Sequence, residues 1–294
     1  MDCVTGDFEH FEIREPTAHT IPFVYNSPHS GNRYPPSFLN DARLDSVAIR
    51  RSADHYVDEL FAAAPELGAP LLAAHFPRAY LDVNREPYEL DPKMFDGALP
   101  PFANISSLRV AGGLGTIPRI VAENMEIYRR RLSVEEGLSR IDALYKPYHA
   151  ALRRLIARTH TRFGFSILID CHSMPGNIRI AGSEIRPDFI IGDRFGTSAS
   201  ADLSRAAISF LTDLGFSAAR NKPYAGGFIT EHYGRPVRGL HALQIEINRA
   251  LYVDEVTLEK RPEFEAVAGA LSCFMRLMAE FADEFGSTTA LAAE

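Results

Sequence analysis

The 294-residue chain reads as an α/β protein, a three-layer sandwich in which helices cover both faces of a mainly parallel or mixed central sheet. Short runs rich in β-branched and aromatic residues alternate with longer stretches of helical periodicity, the pattern of βαβ units. Several of the short runs are apolar almost throughout, as strands are when both faces are buried.

Taken in order, IPFVYN (21–26) is the first strand and leads into Ser27-Pro28-His29-Ser30-Gly31. Residues 42–65 read as helical. APLLAAH (69–75) and AYLDV (79–83) read as strands, the second leading into Asn84-Arg85. Between about 86 and 118 the periodicity is lost, and EPYELDPKMFDGALPPF is rich in proline, acidic and aromatic residues. Loops of this length in a compact domain are usually lids or binding loops. Residues 123–163 return to a helical pattern, which Pro147 should end or kink. FSILIDC (165–171) leads into His172-Ser173, and DFIIGD (188–193) is a further strand. Leu203, Ala207, Phe210, Leu211 and Leu214 form one buried helical stripe. HALQIEI (241–247) carries Glu246 and continues to Asn248-Arg249. Phe264, Val267, Leu271, Phe274, Met278 and Phe281 step alternately by three and four, a last amphipathic helix. Strands of one sheet flank the 86–118 segment, so a single catalytic domain over residues 1–294 is expected.

Lys and Arg total 31 against 38 Asp and Glu, a formal net charge of −7. That balance offers no attraction to nucleic acid or an anionic membrane, which require clustered cations. Three widely spaced cysteines, Cys3, Cys171 and Cys273, make no disulfide framework and point to a reducing compartment. The acidic N-terminus lacks the apolar core of a secretory signal, and no apolar run approaches the roughly 20 residues of a membrane helix. A cytoplasmic protein with a small-molecule partner is expected.

In open α/β sheets ligands bind beyond the carboxyl ends of the strands, and there this chain concentrates its unusual polar residues. His29 and His172 follow two different strands and are the natural nitrogen ligands of a hydrolytic metal centre, which takes three His or carboxylate ligands and keeps one position open. The acidic ligand is expected from the first helix, as Asp54 or, one turn on, Asp58. Asp170, two residues before His172, points to the same side of its strand and either orients the imidazole or simply terminates the strand. Glu246 interrupts an otherwise apolar run; a buried carboxylate there serves proton transfer or a buried ion pair with Arg249 or Arg235. PYAGGFIT (223–230) reads as a substrate loop or a turn. The glycine cluster 112–115 offers amides to an anion but matches no nucleotide-binding loop. Cys171, pointing away from His172, is an inert buried thiol.

SPHSG, DHYVDELF, DVNR, IDCHS, the GGF-IT-HYGRP stretch and HALQIEINRALY together resemble the N-formylglutamate amidohydrolase family, in order from about residue 20 to 255. The resemblance implies a zinc-exopeptidase-like fold and hydrolysis of N-formyl-L-glutamate to formate and L-glutamate. It also implies a Zn2+ ion held by His29, Asp54 and His172, with Glu246 in proton transfer. The Asn84-Arg85 pair looks like the family's grip on a substrate carboxylate, with Arg249 and Thr230 as further substrate contacts. At a site with two histidines and a carboxylate, iron, cobalt or manganese can replace zinc. Other N-acyl amino acids or small peptides are alternative substrates, and a non-catalytic binder of small molecules is a more distant alternative. After Arg85 the text departs from dedicated histidine-degradation enzymes, so this stretch is expected to shape the acyl and side-chain pockets.

Overall fold

The computed structural model describes residues 9–180 and 186–291; Cys3 lies outside them. Its main sheet has seven strands: β1 (Phe11–Arg14), β2 (Phe23–Ser27), β3 (Leu71–Ala74), β4 (Ser166–Met174), β5 (Phe189–Gly192), β6 (Ala218–Arg220) and β7 (Leu240–Asn248). Their order across the sheet is β1-β3-β2-β4-β7-β5-β6. β4 runs parallel to both β2 and β7, β6 is parallel to β5, and the β7–β5 step is antiparallel, so the sheet is mixed. The principal helices are α1 (Val134–Arg140), α2 (Lys146–Phe163), α3 (Ala201–Asp213), α4 (Phe228–Tyr233) and α5 (Phe264–Leu291).

The described chain divides into two compact units. The larger is formed by Ile13–Ser27, His55–Leu72 and the chain from Leu152 onward. In it β4 and β7 are nine residues each, and successive side chains point to opposite faces. Ile167, Ile169 and Cys171 of β4 and Leu243, Ile245 and Ile247 of β7 join Leu203, Ala207 and Leu211 of α3 and Leu271, Phe274 and Met278 of α5 in one apolar core. The two helical stripes expected from periodicity therefore bury as expected. The opposite face of the same strands carries Asp170 and His172, and Gln244 and Glu246. The parallel register pairs Gln244 with Asp170 and Glu246 with His172, while Asn26 on β2 pairs with Asp170.

The smaller unit comprises the chain up to Glu12, Pro28–Asp54 and Ala73–Ala151. It is poor in regular structure and is organised around a buried cation. Arg140 of α1 stacks over Tyr80 at 3.9 Å, donates to the Tyr128 hydroxyl at 2.7 Å and meets Glu136 at 2.6 Å. Such a guanidinium is tolerable in a core only because aromatic faces and a carboxylate replace its water.

Several elements differ from the sequence reading. AYLDV is not a strand: Tyr80 and Leu81 both donate to Pro77 O in a turn, and Asp82 donates to Thr116 O. Residues 42–65 hold only short helical pieces, Ala48–Arg50 and Val57–Leu60. Asp54 donates its N–H to His29 O and Tyr56 takes a left-handed conformation, so a tertiary bond overrides the helical spacing. The helix extends unbroken from Val134 to Phe163 despite Pro147, because Ile141–Tyr145 is π-helical and the wider turn relieves the clash with the carbonyl four residues back. The 112–115 glycines end the short helix Leu108–Ala111; the amides of Gly112, Gly113 and Leu114 are bonded to Leu108, Val110 and Arg109 carbonyls rather than presented to an anion. Periodicity did not signal the short strands β1 and β6. Among the described residues no helix is long and apolar enough to cross a membrane.

Candidate metal centre

His29, Asp54 and His172 are buried, and each offers a ligand atom; these atoms lie within 4.8 Å of one another. Sheet register explains much of this. Asn26 and Asp170 are paired across β2 and β4; His172 follows two residues on within β4, and His29 follows three residues on, just past the end of β2 at Ser27. Gly31 of the SPHSG turn has to be glycine, since a Cβ there would stand 2.1 Å from Phe76 O. The Asp54 N–H to His29 O bond of 3.0 Å ties the carboxylate-bearing turn to the first histidine.

Each imidazole is braced by a carboxylate. His29 Nε2 lies 2.8 Å from Asp82 Oδ1, and His172 Nε2 lies 2.9 Å from Asp170 Oδ2. Asp82 also accepts the Asn84 N–H at 2.8 Å and meets Arg78 Nε at 3.0 Å and Arg85 Nη2 at 3.3 Å. Burial opposes ionisation of Asp82, but Arg85, His29 and Arg78 outweigh it and hold the carboxyl well below the usual range. An ionised Asp82 only accepts, so His29 Nε2 carries the proton and Nδ1 presents a lone pair. On the second histidine, Asn26 Nδ2 donates to Asp170 Oδ1 at 2.7 Å, fixing the carboxylate that fixes the ring.

This donor set fits a divalent transition metal. Two imidazoles and a carboxylate are the ligands of catalytic zinc sites, and carboxylates behind the histidines are the customary orienting partners. Donors about 2.0–2.1 Å from a tetrahedral ion stand about 3.3–3.4 Å apart; His29 Nδ1 and Asp54 Oδ2 are 3.3 Å apart. Asp58, the other acidic candidate, instead pairs with Arg14 at 2.8 Å.

Glu246 is buried, and its Oε1 accepts from Gln244 Nε2 at 2.8 Å. Asn84 is buried beside Asp82. Arg85 donates to the carbonyls of Leu114 and Asn84, each at 2.7 Å; burial lowers its pKa to about 10 despite Asp82. Tyr145 OH and His149 Nε2 hold the backbone carbonyls of Arg85 and Val83 at 2.7 and 2.8 Å. Arg249 Nε donates to Ser173 Oγ at 3.0 Å, and Thr230, fully buried, donates to Gly227 O at 3.0 Å. Arg235 donates to the carbonyls of Glu231 and Gly234. Cys171 is a free buried thiol whose pKa is raised by burial and by Asp170. His241, on the apolar side of β7 at 5.5 Å from the Phe285 ring, lies on the other face from Glu246.

Two residues of the arrangement escaped sequence reading. Asp82 lies inside DVNR beside the Asn-Arg pair, 53 residues from its partner His29. Gln244 stood two residues before Glu246, the spacing that puts both on one face.

A family model described as N-formylglutamate amidohydrolase matches residues 21–253. The N-formylglutamate deformylases of Pseudomonas aeruginosa and Pseudomonas putida are 29% and 28% identical over 238 residues, 80% of this chain and 83% of each relative. The crystal structure of N-formylglutamate amidohydrolase from Ralstonia eutropha JMP134 superposes with a TM-score of 0.87 at 35% identity, covering 93% of this chain and 98% of that one. A match over this much of the sequence, with the expected motifs in order, makes this chain a member of the N-formylglutamate amidohydrolase family.

Proposed function

We propose that this protein is a zinc-dependent amidohydrolase that cleaves N-formyl-L-glutamate to formate and L-glutamate, with the whole chain acting as one catalytic domain. The observation that carries this reading is the buried group His29, Asp54 and His172, with both imidazoles braced by carboxylates. These three residues would hold the metal, which when bound supplies Lewis-acid activation of water and polarisation of the acyl oxygen. Asp170 keeps His172 oriented. Glu246 takes a proton from the attacking water and delivers it to the amide nitrogen as the C–N bond breaks. Arg85 and Arg249, with Asn84 and Thr230, bind the carboxylates of the glutamyl part, and bidentate guanidinium contacts favour a dianionic substrate. The 86–118 segment shapes the pockets for acyl group and side chain; the Leu114 carbonyl that holds Arg85 belongs to it.

The test is formate release by the purified protein from N-formyl-L-glutamate, set against N-acetyl-L-glutamate, other N-formyl amino acids and dipeptides. The highest kcat/KM is expected for N-formyl-L-glutamate. Hydrolysis of another member of the panel without formate release would reassign the substrate.

A further inference from the structure

We propose that Gln244 is a positioning residue that ties the 223–227 loop to the carboxylate of Glu246. The inference rests on the proton-transfer role given to Glu246 and names what holds that group in place. Gly227 N donates to Gln244 Oε1 at 2.8 Å, and Gln244 Nε2 donates to Glu246 Oε1 at 2.8 Å.

The chemistry leaves one orientation for the amide. A backbone N–H can only donate, so the side-chain atom facing Gly227 is the oxygen, and the atom facing Glu246 is the NH2 group. Gln244 is therefore a one-way bridge, accepting from the loop and donating to the carboxylate. It is buried, as is Glu246, so the bond between them lies where water does not compete, and the bond to Gly227 is partly buried. The loop is set to meet it. Gly226 adopts φ +123°, and a Cβ there would strike Thr230 Oγ1 at 2.5 Å; glycine lets the chain turn and aim the following amide at β7. One strand away the same construction orients the histidine: Asn26 donates to Asp170, which holds His172, and the register pairs Gln244 with Asp170 and Glu246 with His172. Two adjacent strands thus each use residue i to fix the functional residue i+2.

The test compares wild type, Gln244→Glu, Gln244→Met, Glu246→Gln and the double variant Gln244→Glu/Glu246→Gln, with kcat and KM from formate release and melting temperatures as a folding check. Gln244→Glu keeps an acceptor for Gly227 but loses the donor to Glu246; Gln244→Met is neutral, of similar length, and loses both. In each, kcat is expected to fall about 10- to 100-fold, the scale of a small misplacement of a reacting group. For Gln244→Glu, KM should stay within about twofold of wild type. The residue acts through Glu246, so the substitution should add nothing to the residual rate of Glu246→Gln. Wild-type kcat in both folded Gln244 variants, or losses that multiply in the double variant, would overturn the positioning role while leaving Glu246 intact. Full turnover by Glu246→Gln would instead overturn the Glu246 assignment, and this inference with it.

Discussion

The two faces of β4 and β7 are equally buried and do opposite work. The side chains of Ile167, Ile169, Cys171, Leu243, Ile245 and Ile247 pack in the apolar core with the helices. Asp170, His172, Gln244 and Glu246, on the other face, are held by hydrogen bonds of 2.8–2.9 Å between neighbours two residues apart. Burial alone therefore does not distinguish the two faces; what distinguishes them is that the buried polar groups of one are partnered by other buried polar groups. A strand of period two builds both faces at once, so one nine-residue segment supplies the core and, in the proposed function, the chemistry as well.

Substitutions on either face should separate these roles. The largest effect is expected for Glu246→Gln, a loss of about 10²- to 10⁴-fold in kcat with melting temperature and metal content near wild type. Its neighbour on the other face gives the converse. Ile245→Ala should lower unfolding free energy by about 2–5 kcal/mol in denaturant titration, while the folded fraction keeps its kcat. A pH-dependent effect is expected at His241, whose pKa burial lowers to about 4. The unfolded chain binds that proton below its ordinary pKa of about 6.5 and the folded one does not, so stability falls as pH drops from 6.5 toward 4. His241→Phe should remove that loss, up to about 3 kcal/mol over the whole window. Smallest is Asp170→Asn, expected to weaken metal affinity about 10- to 100-fold, read by competition with a chelator, with little change in the fold.

The sequence was legible where a side chain's neighbours lie along its own strand. Runs apolar almost throughout located β4 and β7, and histidines at or beside the expected strand ends marked the candidate site; the structure carries β4 on through His172 to Met174. Asp170 was readable because it lies two residues from His172. Legibility failed where partners are distant in sequence and the backbone is irregular. Asp82 braces His29 from a turn that AYLDV disguises as a strand, and only the fold brings them within 2.8 Å. Residues 42–65 read as helical, which puts Asp54 on a helix; in the structure a bond to the His29 carbonyl takes the chain out of helical form. Helical spacing alone left Asp54 and Asp58 both open; the family resemblance favours Asp54, and in the structure Asp54 joins the two histidines while Asp58 pairs with Arg14.

The proposed function turns on one divalent metal held jointly by His29, Asp54 and His172. Elemental analysis of the purified protein tests it most directly, with His172→Ala alongside. About one equivalent of transition metal per chain is expected in the wild type, lost in the variant together with formate release. Full hydrolysis by a protein stripped of metal, or undiminished metal content in a folded His172→Ala protein, would contradict it.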